Sequence, residues 1–394
     1  MAEIESYPFQ SGPRGCPAHE WDARRRDDPL GPVRLPSGDV VTLAVRHDDV
    51  AAVLIDPRFS RELFYPGAPR MFDGFDLAAL PDTLLSMDPP RHTRMRRLLS
   101  GTFTPRQVES WRPRVRAIAR DLLTALPAGF DLVDDFAFPL PIQIMCDVMG
   151  VAGIDVARVR GWSEAMLSTS SLPPEEKVAA AAEFHAYTTE LIATHRDDPG
   201  DGLLASMIRA RDEGDRLTDE ELVINTIGLF LAGHETTASL LARAMLRLLD
   251  PRDGYERLVA EPELAGTAVE ELLRVESPAL AAFLRVATED VELPSGTVRK
   301  GEGVIAGLAG ANHDPTAFTE AGALVLDREG PPHLAFGRGP HFCLGANLAR
   351  MELREILTVL TELAPGLTLA VPAGEVPWTE GTLVHRPTRL LVRR

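Results

Sequence analysis

Apolar positions recur at helical spacing over most of the chain between residues 88 and 199, with breaks at prolines and glycines. The longest periodic run is "LTDEELVINTIGLFLAGHETTASLLARAMLRLL" (217–249), which opens on Thr218 and Glu221 at capping-box spacing. About thirty residues at 1.5 Å each predict a helix of roughly 45 Å. Its middle, "VINTIGLFLAG", is apolar nearly all round, so it is expected to lie buried. A second amphipathic helix is expected over "LGANLARMELREILTVLTEL" (344–363). Elsewhere the pattern shortens. "DVVTLAVR" (39–46) reads as a strand and "HDDVAAVLID" (47–56) as the helix after it, whereas 61–87 reads as a long loop. Short strands and turns are expected over 285–330, including "RVATEDVEL", and over the last thirty residues. The fold class is mainly α with minor β.

Composition narrows the function classes. The 394 residues are 45% hydrophobic, enough for a substantial core, and no low-complexity linker or repeat divides them, so one large domain is admissible. The N-terminal stretch is polar and acidic, without the apolar core of a signal peptide, and no run of about 18 apolar residues occurs. Three scattered cysteines, Cys16, Cys146 and Cys343, give no disulfide framework and fit a cytoplasmic protein. A net charge of −17 argues against nucleic acid as a partner.

Four stretches could carry chemistry. "FGRGPHFCLG" (336–345) places Cys343 just before a helix, where unpaired N–H groups and the positive dipole end favour a thiolate. Gly337 and Gly339 open backbone conformations closed to other residues, and Gly345 would let something flat approach. A buried structural cysteine, a zinc ligand with His341, or a nucleophile are the other readings, and nothing local decides between them. "GHETT" sets Glu235, Thr236 and Thr237 in the apolar helix, where a buried acid is costly unless paired or functional. A proton-relay site or a kink at Gly233 with a solvated acid would each explain it. "EELLR" (270–274) puts Glu271 and Arg274 on one helical face, a pattern usually worth little. In "MDPPRHTRMRRLL" (87–99), Asp88 is placed to cap a helix on which His92 and Arg96 share a face, able to bind an anion or simply to meet solvent.

Taken together and in this order, these motifs resemble those of a soluble, ferredoxin-dependent bacterial cytochrome P450 along essentially the whole chain. The resemblance implies a single P450 domain over 1–394, with a long central helix over haem plus small β-sheets. Its α-rich parts are about 88–275 and 343–364, and its β-rich parts about 30–60, 285–330 and 366–394. It implies haem (heme b) with Cys343 as the axial thiolate, and His92, Arg96, Arg285 and His341 at the propionates. Phe336, Gly345 and Ala232 would also contact the cofactor. Glu235 and Thr236 match the acid–alcohol pair that supplies protons during O2 activation, and Glu271, Arg274 and Arg328 a structural triad. His313 stands where many relatives carry Arg.

The activity implied is insertion of one oxygen atom from O2 into a bulky, mostly apolar small molecule, by hydroxylation or epoxidation. A secondary-metabolite tailoring step such as antibiotic biosynthesis is the expected setting. Oxidative coupling, desaturation, rearrangement or a non-catalytic haem sensor are the alternatives. Electrons would come from NAD(P)H through a ferredoxin reductase and a ferredoxin, docking on Arg94, Arg97, Arg112, Arg114, Arg116, Arg338 and Arg350. A cytoplasmic monomer without membrane or nucleic-acid contacts is expected. The substrate-lining candidates are Phe72, Phe75, Gly228, Leu231, Ala232, Ala281, Ala282, Phe283 and Leu383.

Overall fold

The computed structural model describes every residue except 1–3, 10, 11, 13, 14, 16, 73–75, 77–79, 198, 199 and 213–216. In chain order the elements are α1 (His19–Asp27), β1 (Leu30–Arg34), β2 (Val40–Ala44), α2 (His47–Ile55), β3 (Phe59–Ser60), α3 (Arg91–Ser100), α4 (Pro105–Ala125), β4 (Gly129–Asp131), α5 (Pro139–Met149), α6 (Val156–Leu167), α7 (Pro174–Arg196) and α8 (Leu203–Asp212). They continue as α9 (Asp219–Leu249), α10 (Asp253–Ala260), α11 (Ala265–Val275), β5 (Arg285–Ala287), β6 (Val291–Leu293), β7 (Gly296–Val298), β8 (Gly303–Ala306), α12 (Leu308–Asn312), α13 (Ala346–Leu363), β9 (Thr368–Leu369) and β10 (Leu391–Arg393). The mainly α, minor β reading of the sequence holds. Contacts divide the chain into one unit of residues 1–93, 273–324 and 328–343 and another of 94–272, 325–327 and 344–394.

The first unit is built on a mixed sheet in the order β1-β2-β8-β5-β3, in which only β2 and β8 run parallel. Successive residues of a strand face opposite sides. Accordingly Ile305 joins one buried cluster with Val33, Val41 and Leu43, while Val304 and Ala306 join a second with Val50, Phe59 and Val291. Trp21 of α1 closes the first cluster edge-on against Phe9, 5.1 Å away. The antiparallel register of β3 and β5 pairs Phe59 with Ala287 and Ser60 with Val286. Continued by one residue, it sets Arg61 opposite Arg285.

The second unit is helical around α9. The Thr218–Glu221 capping box is present in both directions, at 3.0 and 2.9 Å. The helix is continuous through Gly233, and α5, α6, α7, α8 and α10 all pack against it. A Cβ at Gly233 would lie 2.3 Å from the Met145 sulfur of α5, so the glycine permits close packing of the two helices. α13 lies along α4. Among the described residues no helix is long and apolar enough to cross a membrane.

One local expectation fails. Asp88 does not cap α3, which starts at Arg91; its carboxylate instead accepts from the Ser60 hydroxyl at 2.5 Å and the Arg61 N–H at 3.0 Å. The "EELLR" residues are far from a surface pair. Arg274 is buried and donates to the carbonyls of Asn312, Ala321 and Ala323 at 2.6–3.0 Å, and Arg328 donates to the same Ala323 carbonyl at 3.3 Å. Glu271, also buried, accepts the Val325 N–H at 2.9 Å. Removing Arg274 would strand several buried carbonyls. Arg274→Ala is therefore expected to cost about 3–5 kcal/mol, read as a lower urea midpoint at unchanged m-value.

Candidate functional site

The cysteine loop closes on itself in the first unit. Gly337 and Gly339 have φ of +67° and +74°, the left-handed region that glycine alone enters without strain. A Cβ on Gly339 would lie 2.7 Å from the Leu54 carbonyl oxygen, so the loop is pressed onto the end of α2. The Cys343 N–H donates to the Phe336 carbonyl at 2.9 Å, and Phe342 to Gly339 at 3.0 Å. Cys343 is half-buried. The helix expected directly after it begins at Ala346 with Gly345 as its N-cap, so two residues separate the thiol from α13. A Cβ on Gly345 would meet open space, which leaves room for a flat group, as expected.

Cations converge in the same unit. His92 is buried and its ring lies 4.3 Å from that of His341. Arg285 is 5% exposed; Nη1 donates to the Phe59 carbonyl at 3.3 Å, and Nε has no hydrogen-bond partner among the described residues. Burial pushes the Arg285 guanidinium down to about 10, against the pull of Asp88. Arg61, opposite it, was invisible in the sequence, where it follows an unremarkable "FS". It is 2% exposed and donates to the carbonyls of Leu85 (2.8 Å) and Leu284. Burial and then the Arg285 charge push it down to about 9, while Asp76 and Asp88 oppose. Burial depresses both guanidinium groups and the Arg285 charge depresses Arg61 further, so an anion placed beside them would be stabilised. The carboxylates of a haem would be such anions. Arg96 is half-buried one turn beyond His92 on α3.

In the second unit, burial along α9 is interrupted on one side only. Gly228, Leu229, Ala232, Gly233 and Thr236 form an open strip at helical spacing. Thr236 donates its hydroxyl to the Ala232 carbonyl at 2.7 Å, within that strip. Leu231, expected to line it, is buried and falls off it; Leu229, not expected, lies on it. Glu235 sits at the edge and is 3% exposed. Burial raises its carboxyl, with Arg386 opposing and Glu164 adding to the rise. Oε1 accepts from Arg386 Nε at 3.3 Å, while Oε2 has no hydrogen-bond partner among the described residues. Its neighbour His234 bonds the Phe230 carbonyl at 2.6 Å; since a carbonyl only accepts, the proton is on Nδ1. Burial pushes His234 down to about 4, so it is neutral near pH 7.

The remaining candidates scatter. Phe72 is buried, Phe75 lies outside the described residues, and Ala281 and Ala282 are half-buried against the sheet clusters. Phe283 is 39% exposed and its ring lies 5.3 Å from the Arg61 guanidinium. Half-buried Leu383 donates its N–H to the Leu167 carbonyl at 2.9 Å. The expected basic dock is largely spoken for: Arg94 pairs with Glu221, Arg112 and Arg116 with Glu355, Arg114 with Asp147, and Arg350 with Glu270. Exposed Arg97 and Arg338 belong to different units.

Residues 166–362 match the family model "Cytochrome P450". The chain is 43% identical to nocardicin C N-oxygenase of Nocardia uniformis subsp. tsuyamanensis, covering 99% of this chain and 98% of that one. It is 40% identical to mycinamicin IV hydroxylase/epoxidase of Micromonospora griseorubida, with 99% of each covered. Among solved structures it resembles the LnmA cytochrome P450 hydroxylase from the leinamycin biosynthetic pathway of Streptomyces atroolivaceus S-140 (TM-score 0.90, 42% identity, 99% and 100% covered). It also resembles SgvP, a putative thioether synthase of griseoviridin tailoring (TM-score 0.94, 35% identity, both chains fully covered).

The loop geometry carries a test of its own. Gly339→Ala combines a left-handed φ with a contact to backbone and is expected to cost about 1–3 kcal/mol. Gly330→Ala, where a Cβ meets open space, should stay within about 0.5 kcal/mol of the parent. Melting temperatures of the two variants check the contrast.

Proposed function

The chain belongs to the cytochrome P450 family, and from that premise we propose that it tailors a bulky, mostly apolar secondary metabolite by hydroxylation or epoxidation. It is a P450 monooxygenase, and the family's cofactor is haem iron held by a cysteine thiolate, with O2 as oxidant. We assign the thiolate to Cys343 and the propionates to His92, Arg96, Arg285 and His341, with Arg61 behind Arg285. Phe336, Gly345 and Ala232 complete the cofactor's surroundings. The observation that carries this reading is Arg285: a buried cation with one carbonyl contact and an orphaned Nε, set against a second buried arginine in the unit that holds the cysteine loop.

Bound haem supplies the reductive activation of O2 and the transfer of one oxygen atom to substrate, the other leaving as water. The chain's residues position and protonate. Gly337 and Gly339 set the loop that presents the Cys343 sulfur. Glu235, whose carboxyl is raised by burial, would give up a proton less readily than a solvated glutamate and is placed to act as the acid. The Thr236 hydroxyl, held by the Ala232 carbonyl, keeps its oxygen lone pairs for an incoming donor. The small residues Gly228 and Ala232 leave room for a bulky guest along the open strip. Glu271, Arg274 and Arg328 maintain the fold.

The proposal extends to the setting. The names of the relatives, an N-oxygenase of nocardicin C and a hydroxylase/epoxidase of mycinamicin IV, support a tailoring step in antibiotic biosynthesis. The likeness to SgvP, described as a putative thioether synthase, favours a second outcome, oxidative coupling, from the same site. Electrons from NAD(P)H would arrive through a separate ferredoxin, and the protein would act as a cytoplasmic monomer with one domain over 1–394.

Haem-loaded protein, reduced under CO, is expected to show the Soret band of a thiolate-ligated iron, and Cys343→Ser to lose it. A Cys343→Ser protein that retained haem and the same band would sink the assignment.

A further inference from the structure

We infer that Arg386 is the positioning residue for Glu235, and that it couples this buried acid to a proton entry point at Glu164. The inference rests on the reading of Glu235 as the proton-donating acid.

The sequence places Arg386 in no motif. It lies in the C-terminal hairpin, where Trp378 bridges Pro387. Its backbone is clamped there: Arg386 donates its N–H to the Thr379 hydroxyl at 3.0 Å, and its carbonyl accepts the Thr379 N–H at 2.8 Å. The hairpin is tied to the end of α6, where the Leu383 N–H donates to the Leu167 carbonyl. Glu164 lies one turn before Leu167 on the same helix. Two independent anchors therefore fix the guanidinium between α6 and α9.

All three guanidinium nitrogens are engaged. Nε donates to Glu235 Oε1 at 3.3 Å, Nη1 to the Pro387 carbonyl at 3.1 Å, and Nη2 to Glu164 Oε1 at 2.9 Å. The group lies over the Phe138 ring, 4.4 Å from its centroid, and the Arg160 guanidinium also lies over that ring at 4.0 Å. Arg386 and Glu235 are about 4–5% exposed, but the Glu164 side chain is 41% exposed. Arg160 Nε donates to the same Glu164 Oε1 at 3.0 Å, and its Nη2 reaches the exposed Asp134 at 2.9 Å. One buried cation thus bridges a solvent-facing carboxylate and a buried one.

Arginine does not release its proton near neutral pH, so Arg386 is no relay. Its task is to hold two carboxylates as neighbours. Hydronium at the surface would protonate the Glu164 carboxylate and leave as water; breaking that new O–H bond and making one on Glu235, through a water between the two carboxyl groups, would return Glu164 to its carboxylate form. The proton then leaves from Oε2, which no described residue engages. The charged and titratable groups facing Glu235 are Arg386 from the hairpin, Glu164 and Arg160 from α6, and His234 beside it on α9. His234 is neutral near pH 7, and its bare Nε2 stands 3.9 Å from Oε2, beyond hydrogen-bond reach. Arg386 is therefore the nearest opposing charge, and its loss should move Glu235 protonation to higher pH.

The test uses haem-loaded Arg386→Gln, Arg386→Lys, Glu164→Gln and Glu235→Gln, each first checked for an intact CO spectrum. Infrared titration follows the carboxylic-acid band that Glu235→Gln removes. NADPH oxidation with a surrogate ferredoxin and reductase is measured in H2O and D2O. Arg386→Gln is expected to titrate that band at higher pH, to slow oxidation by about tenfold, and to enlarge the solvent isotope effect; Arg386→Lys should restore most of the rate. Glu164→Gln, half-exposed and safe for folding, should slow oxidation and enlarge the isotope effect in the same direction, and it decides the matter if Arg386→Gln does not fold. Parental rates and isotope effects in the Arg386 and Glu164 variants, with Glu235→Gln impaired, would overturn the inference alone. A Glu235→Gln protein with parental turnover would overturn the reading of Glu235 instead.

Discussion

An ionisable carboxyl at the middle of an apolar helix is the constraint on which the larger unit depends. Glu235 is held on α9 among residues that are nearly all buried, where a lone carboxylate would be prohibitively expensive. The unit meets that cost without neutralising it. One guanidinium, delivered from the C-terminal hairpin, is shared between Glu235 and a partly solvated glutamate. A full private ion pair would hold Glu235 ionised, and full desolvation would hold its proton fast. Sharing opposes the rise that burial imposes on the Glu235 carboxyl without giving it an ion pair of its own. Thr236 stays on the strip that the core leaves open.

The smaller unit solves the reverse problem. Its sheet register opposes Arg61 and Arg285, a like-charge juxtaposition that ordinary strands avoid. Asp88, which the sequence would have used as a helix cap, is drawn to Ser60 and the Arg61 backbone and offsets part of the repulsion. If a dianionic cofactor bound beside these arginines, as proposed, it would recover the stability that the remaining positive field costs. Haem would thus be expected to stabilise this unit more than contacts with a flat apolar ring alone would.

What was legible in the sequence followed the range of the interaction. Periodicity and the capping box located α9 because both are local. The glycines at 337 and 339 were legible because a left-handed φ restricts residue type at one position. Arg61, Arg386 and Leu229 were not. Arg61 acquires meaning only through a strand register that joins residues more than two hundred positions apart. Arg386 does so through a contact 151 positions away. Leu229 and Leu231 differ by half a helical turn, and their assignment needs the azimuth of the open strip, which an apolar-all-round helix conceals. The ion pairs of the expected basic dock were hidden for the complementary reason: a count of arginines carries no information about the glutamates that face them, and Glu221, Glu355 and Glu270 lie on elements distant in sequence.

These long-range contacts also bear on how chemistry and substrate choice are linked. The hairpin that clamps Arg386 carries Leu383 at its turn, and that turn is bonded to the end of α6. A guest that presses on Leu383 would load the same short segment that fixes the guanidinium. Displacement there need be small, because hydrogen bonds weaken steeply with distance and the Arg386–Glu235 contact is already long at 3.3 Å. On the proposed reading of Glu235 as the proton-donating acid, proton supply would then respond to whether that segment is engaged.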